Sequence, residues 1–323
     1  MTVTLALCIN GTSGNQNRSK YIPLRSLYLE GGILGGVAGG LDDQSYTGSS
    51  DFRVMVRMTG GYIKGCLYGA GSYARGAGER RYVITGGEIG GWVAAGCNGI
   101  GGNTTSDNNG ATDGDSYVYI GGDAAIGYKN TTVNDVEGGN VFGAGRGASG
   151  QSYDVGTVNN SNVVIADQSK IEKNVYGGGN YGFVASGGTA KLYIAGGTVD
   201  GSVFGGANMV QGQTVSINMV GGLVKSGVYG GSNTQGAINN NVTMQINGGQ
   251  VGTKNTPANV HGGGYGNSTR VLGSVNLTVG EANATTGATI YGDVYGGSAE
   301  GKTNGNDSRT TNAVTNVNPV PGT

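Results

Sequence analysis

Apolar and polar residues alternate in short runs along most of this chain. Clear examples are Leu-Tyr-Ile-Ala-Gly-Gly at 192–197, Val-Ser-Ile-Asn-Met-Val-Gly-Gly at 215–222 and Val-Thr-Met-Gln-Ile-Asn-Gly-Gly at 242–249. A period of two is typical of a β-strand with one buried face. Counting back from each Gly pair predicts the buried residues: Leu27/Leu29, Val56/Met58, Tyr82/Ile84, Leu192/Ile194, Ile217/Met219 and Met244/Ile246.

A second motif follows these runs and consists of a Val or Leu, usually an aromatic residue, and glycines. Clear copies lie at 175–179, 203–206, 228–231, 260–264 and 294–297, and degenerate ones at 37–40, 67–70, 93–96 and 141–144. Another aliphatic residue comes two positions after many of the Gly pairs: Ile63, Ile89, Val199, Val224 and Val251. Each repeat is therefore predicted to contain a strand, a Gly-Gly corner, a short second strand, the Val-aromatic segment and a Gly-rich turn of variable length.

One repeat cannot bury its apolar face alone, whereas stacked repeats pair their backbones with the repeats above and below. The sequence thus predicts an all-β fold, a right-handed parallel β-helix of about nine coils, with handedness following the general rule for parallel crossovers. Stacking would also align the motif rings into one column: Tyr68, Phe142, Tyr176, Phe204, Tyr229, His261 and Tyr295.

The boundaries follow from the same alignment. Residues 1–307 are predicted to form a single β-helix domain, with residues 1–9 as a strand and 308–323 as an irregular low-complexity tail. Coil 4 departs from the pattern, because the count from its Gly pair places Tyr117 and Tyr119 at the inward positions. Loop insertions are predicted at 97–115, 123–140, 252–259 and 281–293.

The two motifs together carry a resemblance. Gly-Gly-x-Val followed by Val-Tyr/Phe-Gly-Gly, clearest at 196–206 and 221–231, resembles the Gly-rich repeats of large secreted adhesin-like surface proteins of bacteria. The resemblance extends over roughly residues 25–300. It implies β-helix stalks or binding surfaces and an extracellular or bacterial cell-surface location.

Composition narrows the classes of protein that fit. The 70 glycines among 323 residues lack a Gly-X-Y order and accompany only 4 prolines, which excludes collagen and an ordinary helical enzyme domain. With 19 basic and 20 acidic residues, no strong field would attract nucleic acid. No apolar run is long enough for a membrane helix, so membrane insertion is not expected either.

The rarest residue types predict structural roles. His261 is the only histidine, which argues against a Ser-His-Asp triad or a His-rich zinc site and favours a stacked ring. Cys8, Cys66 and Cys97 contain no CxxC pattern, and Cys66 and Cys97 occupy different slots of their coils. Buried thiols are expected there rather than a disulfide. We predict no catalytic residue, cofactor or metal ligand.

Carboxylates decide whether a polysaccharide-cleaving enzyme is plausible. The candidates in loops are Asp42/Asp43, Asp107, Asp113, Asp115 and Asp135/Glu137. The 107–115 segment is rich in oxygen ligands but lacks the spacing of an EF-hand, so a solvated loop is favoured there and Ca²⁺ binding stays open.

Charged pairs at other positions are expected to be ordinary surface. Asp200 and Lys225 fall in the same slot of adjacent coils and predict a surface ion pair. The one local basic cluster, formed by Arg75, Arg80 and Arg81 with Glu79, is predicted to be solvated. No acidic and basic constellation is seen to recur on neighbouring coils.

These features favour a non-enzymatic extracellular structural or adhesion module, in which a β-helix scaffold presents loops to a host or matrix glycan or protein. The alternatives are a self-assembling surface fibre subunit and a polysaccharide lyase or hydrolase of the β-helix type. Without capping elements, the ends of such a solenoid predict end-to-end self-association or continuation in a longer chain.

Overall fold

The computed structural model describes residues 24–34, 37–38, 50–51, 53–69, 76–97, 114–128, 138–147, 156–182, 184–210, 212–280, 287–304 and 314–319. Within these ranges every regular element is a β-strand and every strand pair is parallel. These strands confirm the predicted all-β fold for the described residues. The predicted strand at residues 1–9 lies outside the described ranges.

The strands are from two to eleven residues long. In chain order they are β1 (Leu24–Leu29), β2 (Ile33–Leu34), β3 (Val37–Ala38), β4 (Ser50–Asp51), β5 (Arg53–Ile63), β6 (Leu67–Tyr68), β7 (Gly76–Ala77), β8 (Arg80–Ile89), β9 (Val93–Ala94), β10 (Ser116–Ile120), β11 (Ala125–Ile126), β12 (Val141–Phe142), β13 (Ser161–Ile165), β14 (Lys170–Ile171), β15 (Val175–Tyr176), β16 (Thr189–Val199), β17 (Ser202–Phe204), β18 (Thr214–Val224), β19 (Gly227–Tyr229), β20 (Gln235–Ile238), β21 (Val242–Val251), β22 (Val260–His261), β23 (Ser268–Val271), β24 (Val275–Val279), β25 (Thr289–Ile290), β26 (Val294–Tyr295), β27 (Lys302–Thr303) and β28 (Thr315–Pro319).

The alternating runs form the largest sheet, which has fourteen strands and is called the long sheet below. Its main path is β1-β5-β8-β10-β13-β16-β18-β21-β24-β28, so neighbours in the sheet are neighbours in the sequence of repeats. The short strands β2, β11, β14 and β25 pair beside this path.

The Val-aromatic motifs form a second sheet of nine strands. Its order is β26-β22-β19-β17-β15-β12-β9-β6-β3, and each strand is one of the nine predicted motif copies. Valine pairs with valine and ring with ring, as in Val175↔Val203 and Tyr176↔Phe204. The alignment of degenerate and clear copies read from the sequence is therefore correct in register.

The stretches predicted to be variable Gly-rich turns also contain strands. A three-stranded sheet has the order β20-β23-β27, and β4 pairs with β7. Isolated bridges join Val158 to Val184 and Gly212 to Ile238. Ile238 and Val271 are buried here, so this third region contributes to the core. The sequence analysis did not predict these strands, because their composition resembles that of turns and only one or two apolar residues per repeat mark them.

One aliphatic cluster runs the length of the described stack. Outside repeat 4, the predicted inward pairs of the long sheet are buried in it, and so are the aliphatic residues after the Gly pairs. Valines of the nine-stranded sheet close the cluster from the other side. A fully buried side chain of this size stabilises the fold by about 1.5–3 kcal/mol, so the repeats hold one another together mainly through this column.

The Gly pairs of the long strands allow an unusual backbone conformation. Strand register shifts at these pairs, for example between Met58 and Thr59 and between Ile194 and Ala195. The second glycine has a positive φ in each case, +83° at Gly61, +77° at Gly87 and +73° at Gly197. L-residues rarely adopt that conformation, which explains glycine at this position.

The motif rings form a buried cluster separate from the aliphatic core. Ring centroids are 4.9 Å apart for Phe142–Tyr176, 5.1 Å for Tyr176–Phe204 and 5.0 Å for Phe204–Tyr229. The predicted column is confirmed over these rungs and onward to Tyr295. Tyr68 is separated from it, because repeat 3 supplies Ala94 instead of a ring. Tyr68 packs edge-on against Trp92 at 5.8 Å instead.

Repeat 4 contradicts the predicted inward positions. Val118 and Ile120 are buried and pair with Tyr82 and Ile84, whereas Tyr117 and Tyr119 lie on the opposite, outward face. The prediction was wrong because the count from the Gly pair assumed the bulged corner of the other repeats. In repeat 4 the strand ends at Ile120, directly before the glycines, which shifts the alternation by one residue.

The predicted insertions are also too long. Residues 123–140 include β11, which pairs with β8 and β14, and residues 281–293 include β25, which pairs with β21. These are the second strands of their repeats. Residues 252–259 contain no strand, and hydrogen bonds between Thr253 and Thr256 close this segment. Most of 97–115, namely residues 98–113, lies outside the described ranges.

The predicted irregular tail contains a strand. Thr315–Pro319 (β28) pairs in parallel with β24, continuing the long sheet by one more rung. The Thr-Asn alternation of this segment was interpreted as low complexity because it lacks large aliphatic residues. All five residues of β28 are exposed, and backbone pairing with β24 aligns them with the rung before.

The basic cluster is only partly solvated. Arg81 is exposed, as predicted, and it also forms an ion pair with Glu79 at 2.9 Å. Arg80 is fully buried, in contradiction to the prediction, and its Nη1 donates to the carbonyl of Gly78 at 2.9 Å. The reason is alternation: Arg80 comes two residues before inward Tyr82, so it points to the same side. Arg75 lies outside the described residues.

Candidate binding face

The outward side of the long sheet presents two straight rows of side chains. They follow from strand register, because each position pairs with the same position of the next rung. The first row contains Met55, Arg81, Tyr117, Asn162, Lys191, Ser216, Thr243, Asn276 and Asn316. The second row contains Tyr28, Arg57, Val83, Tyr119, Val164, Tyr193, Asn218, Gln245, Thr278 and Asn318.

The two rows differ along their length. Over β8, β10, β13 and β16 they supply aromatic, aliphatic and basic side chains, and we call these eight residues the aromatic face: Arg81, Val83, Tyr117, Tyr119, Asn162, Val164, Lys191 and Tyr193. Over β18, β21, β24 and β28 every row position is Ser, Thr, Asn or Gln, and we call these eight the polar face.

Tyr119 is fixed on the aromatic face by a carboxylate. Its hydroxyl donates to Oδ2 of Asp167 at 3.0 Å, and the backbone N–H of Gly122 donates to the same oxygen at 2.8 Å. These two hydrogen bonds hold the pKa of Asp167 below its usual range. The Tyr119 ring lies over Gly121, where a Cβ would come within 2.6 Å of it. The ring therefore lies along the strand rather than projecting into solvent.

Tyr117 is held by a cation and an acid. The Arg81 guanidinium carbon lies 5.1 Å from the centre of the Tyr117 ring, within the range of a cation–π contact. The Tyr117 hydroxyl donates to Asp115 at 3.4 Å. Asp115 also accepts from the backbone and side-chain N–H groups of Asn160, at 3.2 Å and 2.9 Å. Burial, followed by the neighbouring Asp115 charge, raises the pKa of Tyr117.

A second cluster lies at the corner after the short second strands, and we call it the corner ladder: Tyr128, Glu172, Asp200 and Lys225. Lys225 Nζ lies 2.7 Å from Asp200 Oδ1, which confirms the predicted ion pair. The Tyr128 hydroxyl donates to Asp200 Oδ2 at 2.8 Å. Burial raises the pKa of Tyr128, and so do Asp200 and the charge of Glu172.

The corner ladder corrects one premise of the sequence analysis. Backbone bonds from Glu172 to Ile126, from Asp200 to Ile171 and from Lys225 to Val199 place these residues in the same slot of successive repeats. Acidic and basic residues therefore do recur on neighbouring repeats. In repeat 4 this slot is occupied by Gly127, and Tyr128 follows it. Repeat 5 has Ala-Asp-Gln-Ser at 166–169 and so lacks the Gly pair from which the slots were counted.

His261 has the structural position predicted for it. Its ring lies between Tyr229, at 5.3 Å, and Tyr295, at 4.7 Å, with interplanar angles of 7° and 12°. Burial is the main influence on its pKa, which is lowered, and the hydrogen bond with the Gly297 backbone opposes this more weakly. The residue thus replaces a Tyr or Phe in the column.

The structure describes only some of the other predicted sites. Cys66 and Cys97 are buried thiols with no disulfide between them, as predicted. Of the 107–115 segment only Gly114 and Asp115 are described, and Asp115 is engaged by Asn160 and Tyr117. The remaining candidates lie outside the described residues: Cys8, Asp42/Asp43, Asp107, Asp113 and Asp135/Glu137.

Asparagines before the strands form a feature that sequence reasoning missed. The side-chain oxygen of Asn140 accepts from the backbone N–H of Asn174 at 2.9 Å, and that of Asn174 accepts from Ser202 at 2.8 Å. Asn259 binds the Asp293 N–H at 2.8 Å in the same way. The available signal was the recurrence of Asn directly before Val of the motif, at 140, 174 and 259.

The described part of the chain lacks two features that would point to other functions. No three His, Cys, Asp or Glu side chains there come together as a metal-binding group. Nor does this part contain a helix with the length and apolar character needed to cross a membrane.

Comparison with known proteins adds no relative to this picture. No protein-family model, curated protein or solved structure matches the chain. Any function must therefore be argued from the residues and their arrangement.

Proposed function

We propose that this protein is a right-handed parallel β-helix of about nine coils that acts as a non-enzymatic extracellular structural or adhesion module. It would serve as a scaffold for binding a host or matrix glycan or protein. The observation that carries the proposal is the pairing of nine motif copies in chain order, in one parallel sheet. Such an arrangement uses most of the sequence to build a long, regular surface.

The nature of that surface supports a binding role. The outward rows of the long sheet contain exposed aromatic and basic side chains beside uncharged polar ones. Exposed aromatic side chains carry large contact areas at a small entropic cost, and they are enriched in binding surfaces. The Gly-rich motifs, which resemble those of secreted adhesin-like proteins, support the proposed extracellular or cell-surface location.

A binding array tests this proposal. The complete chain is applied to glycans and matrix proteins, together with two variants in which residues 98–113 or 129–137 are replaced by short Gly/Ser linkers. These replacements leave β10, β11 and β12 intact, so the stack is retained. We expect specific binding by the chain without chemical change of the ligand. A chain that binds no glycan or protein, or one that cleaves its ligand, would contradict the proposal.

The corner ladder supports a second candidate function, that of a polysaccharide lyase or hydrolase. Two carboxylates on successive repeats, with a lysine and a tyrosine hydroxyl beside them, are groups that acid–base cleavage of a glycan can use. Asp200 is engaged by Lys225 and Tyr128, which favours a structural role. Measurement of new reducing ends or unsaturated sugars decides the matter: cleavage lost in both Glu172→Gln and Asp200→Asn would establish the enzyme.

A further inference from the structure

We propose that the aromatic face binds an uncharged linear polysaccharide, with the sugar chain lying across β8, β10, β13 and β16. This inference rests on the proposed function and names the surface and the ligand class for it. The predicted loops are not needed for this site, because its side chains belong to paired strands and to the corner that follows β13.

The first argument is an unbroken apolar row across four neighbouring strands. Strand register, with strands about 4.8 Å apart, aligns the side chains of Val83, Tyr119, Val164 and Tyr193. Tyr193 is 41% exposed, and the Tyr119 ring lies along the sheet over Gly121. Because the Tyr119 ring is already held in place, little conformational entropy is lost when a sugar packs its C–H groups against it. The row therefore suits an extended chain of sugar rings.

The second argument is that a donor and an acceptor lie on opposite sides of this row. On one side, the first row supplies the exposed ammonium of Lys191, which has no ion-pair partner among the described residues. On the other side, the corner after β13 supplies the exposed carboxylate of Asp167. Its Oδ2 accepts from Tyr119 and Gly122, whereas no described residue donates a hydrogen bond to its Oδ1. Both edges of the row therefore offer polar groups to a ligand.

The third argument is that the face has charges of both signs. Arg81 is paired with Glu79, and the carboxylates of Asp115 and Asp167 lie beside the tyrosines. A polyanion would be repelled by these two carboxylates, and a polycation would be repelled by Lys191. Sugar hydroxyl groups both donate and accept hydrogen bonds, so an uncharged glycan can satisfy a free ammonium and a free carboxylate oxygen together.

The size of the face favours a sugar chain over a protein partner. A standard protein interface engages about 20–30 residues on each side, whereas the aromatic face has eight. Its two rows are about 6.6 Å apart, because they are two residues apart on each strand. A strip of this width matches a single extended chain of sugars.

The experiment measures binding of fluorescein-labelled hexasaccharides to the complete chain by anisotropy, at low and at physiological salt. Cellohexaose, mannohexaose and xylohexaose are the uncharged probes, and hexagalacturonate is the acidic probe of equal length. The variants are Tyr119→Ala/Tyr193→Ala and Asp167→Asn. The matched control is Asn218→Ala/Thr278→Ala on the polar face, in the same row and also two strands apart. Thermal unfolding of each variant checks that the stack is intact.

We expect at least one uncharged probe to bind more tightly than hexagalacturonate, with an affinity that changes little as salt rises. Loss of both rings should weaken this binding by about tenfold. Asp167→Asn should weaken binding of the uncharged probe by a few-fold and strengthen binding of hexagalacturonate, because the substitution removes a charged acceptor that repels acids. The control variant should bind like the wild type.

Several results would overturn the inference: no binding of any uncharged probe, equal or tighter binding of hexagalacturonate, a folded tyrosine variant that binds like the wild type, or an equal loss in the control variant. The outcome for the proposed function is separate. Absence of binding to the uncharged probes, together with another partner on the array, would remove this inference and leave the adhesion role standing. Cleavage of a bound probe would overturn the non-enzymatic role whatever the tyrosine variants do.

Discussion

At the scale of single residues, the closeness of the neighbouring repeat decides which side chain is tolerated. The first glycine after each motif ring has an ordinary φ, so conformational freedom does not explain it. A Cβ on Gly205 would lie 2.5 Å from the carbonyl oxygen of Gly230 in the next repeat. The same clash recurs from Gly143 to Gly177 and from Gly230 to Gly262. These glycines are required by close approach of the backbones.

Gly205→Ala is therefore expected to destabilise the protein. Overpacking of this kind costs about 1–3 kcal/mol, because the neighbouring backbone has to move. Gly297 is the control, since a Cβ there would meet only Thr303 Oγ1, at 3.6 Å. Urea unfolding measures both variants. Equal stability of Gly205→Ala and Gly297→Ala would contradict the packing explanation.

His261 gives a prediction about pH. Its pKa is lowered in the folded protein, so below the ordinary value of about 6.5 the unfolded chain binds more protons. Stability from the neutral ring is thus fully present above that value and is lost as the pH falls below it. His261→Tyr restores the usual ring of the column and removes this titration.

The measurement for His261 is the melting temperature between about pH 8 and pH 5. We expect the wild type to lose more on acidification than His261→Tyr, because only the wild type has a buried imidazole that disfavours protonation at this position. The difference between the two proteins should be small at pH 8 and grow as the pH falls. A difference that is independent of pH would show that burial of this ring does not disfavour its protonation.

At the scale of the strand, alternation predicts which residues are buried wherever the corner is regular. It succeeds for β5, β8, β16, β18 and β21, whose Gly pairs share one bulged geometry. It fails for β10, where both frames of Ser-Tyr-Val-Tyr-Ile are apolar enough to be buried. Only the pairing of Val118 with Tyr82 and Val163 settles the frame, and pairing is a property of the fold.

The frame of β10 can be tested by two truncations. Ile120→Ala removes a fully buried side chain and should cost about 2–5 kcal/mol, whereas Tyr117→Ala acts on the outward face and should cost less than about 1 kcal/mol. Chemical unfolding measures both, and circular dichroism checks that the strands remain. The opposite order of stability would restore the frame that the sequence predicted.

Strands also explain what the sequence left out. Arg80 and Ser116 are fully buried, and they pair in register at the start of β8 and β10. When either strand is considered alone, the polarity of these two residues predicts that their side chains face solvent. In the fold, Arg80 Nη1 donates to the carbonyl of Gly78, and the Ser116 hydroxyl donates to the carbonyl of Gly143. Burial of polar groups with partners is tolerated, but the partners come from distant sequence.

At the scale of the whole molecule, the repeat is predictable and the binding face is not. The two motifs recur in the same order in most repeats and indicate stacking, although the turns between them vary in length. The aromatic face depends on which outward residues become neighbours across four strands, including β10 with its shifted frame. Tyr119 and Tyr193 lie 74 positions apart with β13 between them, and no local pattern associates them.

The fibre alternative also belongs to this scale. End-to-end association remains a prediction, and light scattering over a range of concentrations tests it. Mass that rises with concentration would support a self-assembling subunit.

Pairing of successive repeats in register is the central claim, and cysteine cross-linking tests it most directly. In a Cys8→Ser background, Ser216→Cys/Thr243→Cys and Thr243→Cys/Asn276→Cys place thiols on adjacent strands, at the spacing that a disulfide requires. Ser216→Cys/Asn276→Cys places them two strands apart, at about 9.6 Å. We predict that mild oxidation forms an intramolecular disulfide in both adjacent pairs and not in the third. Cross-linking of the third pair as readily as the others, or failure of the adjacent pairs, would contradict the stack.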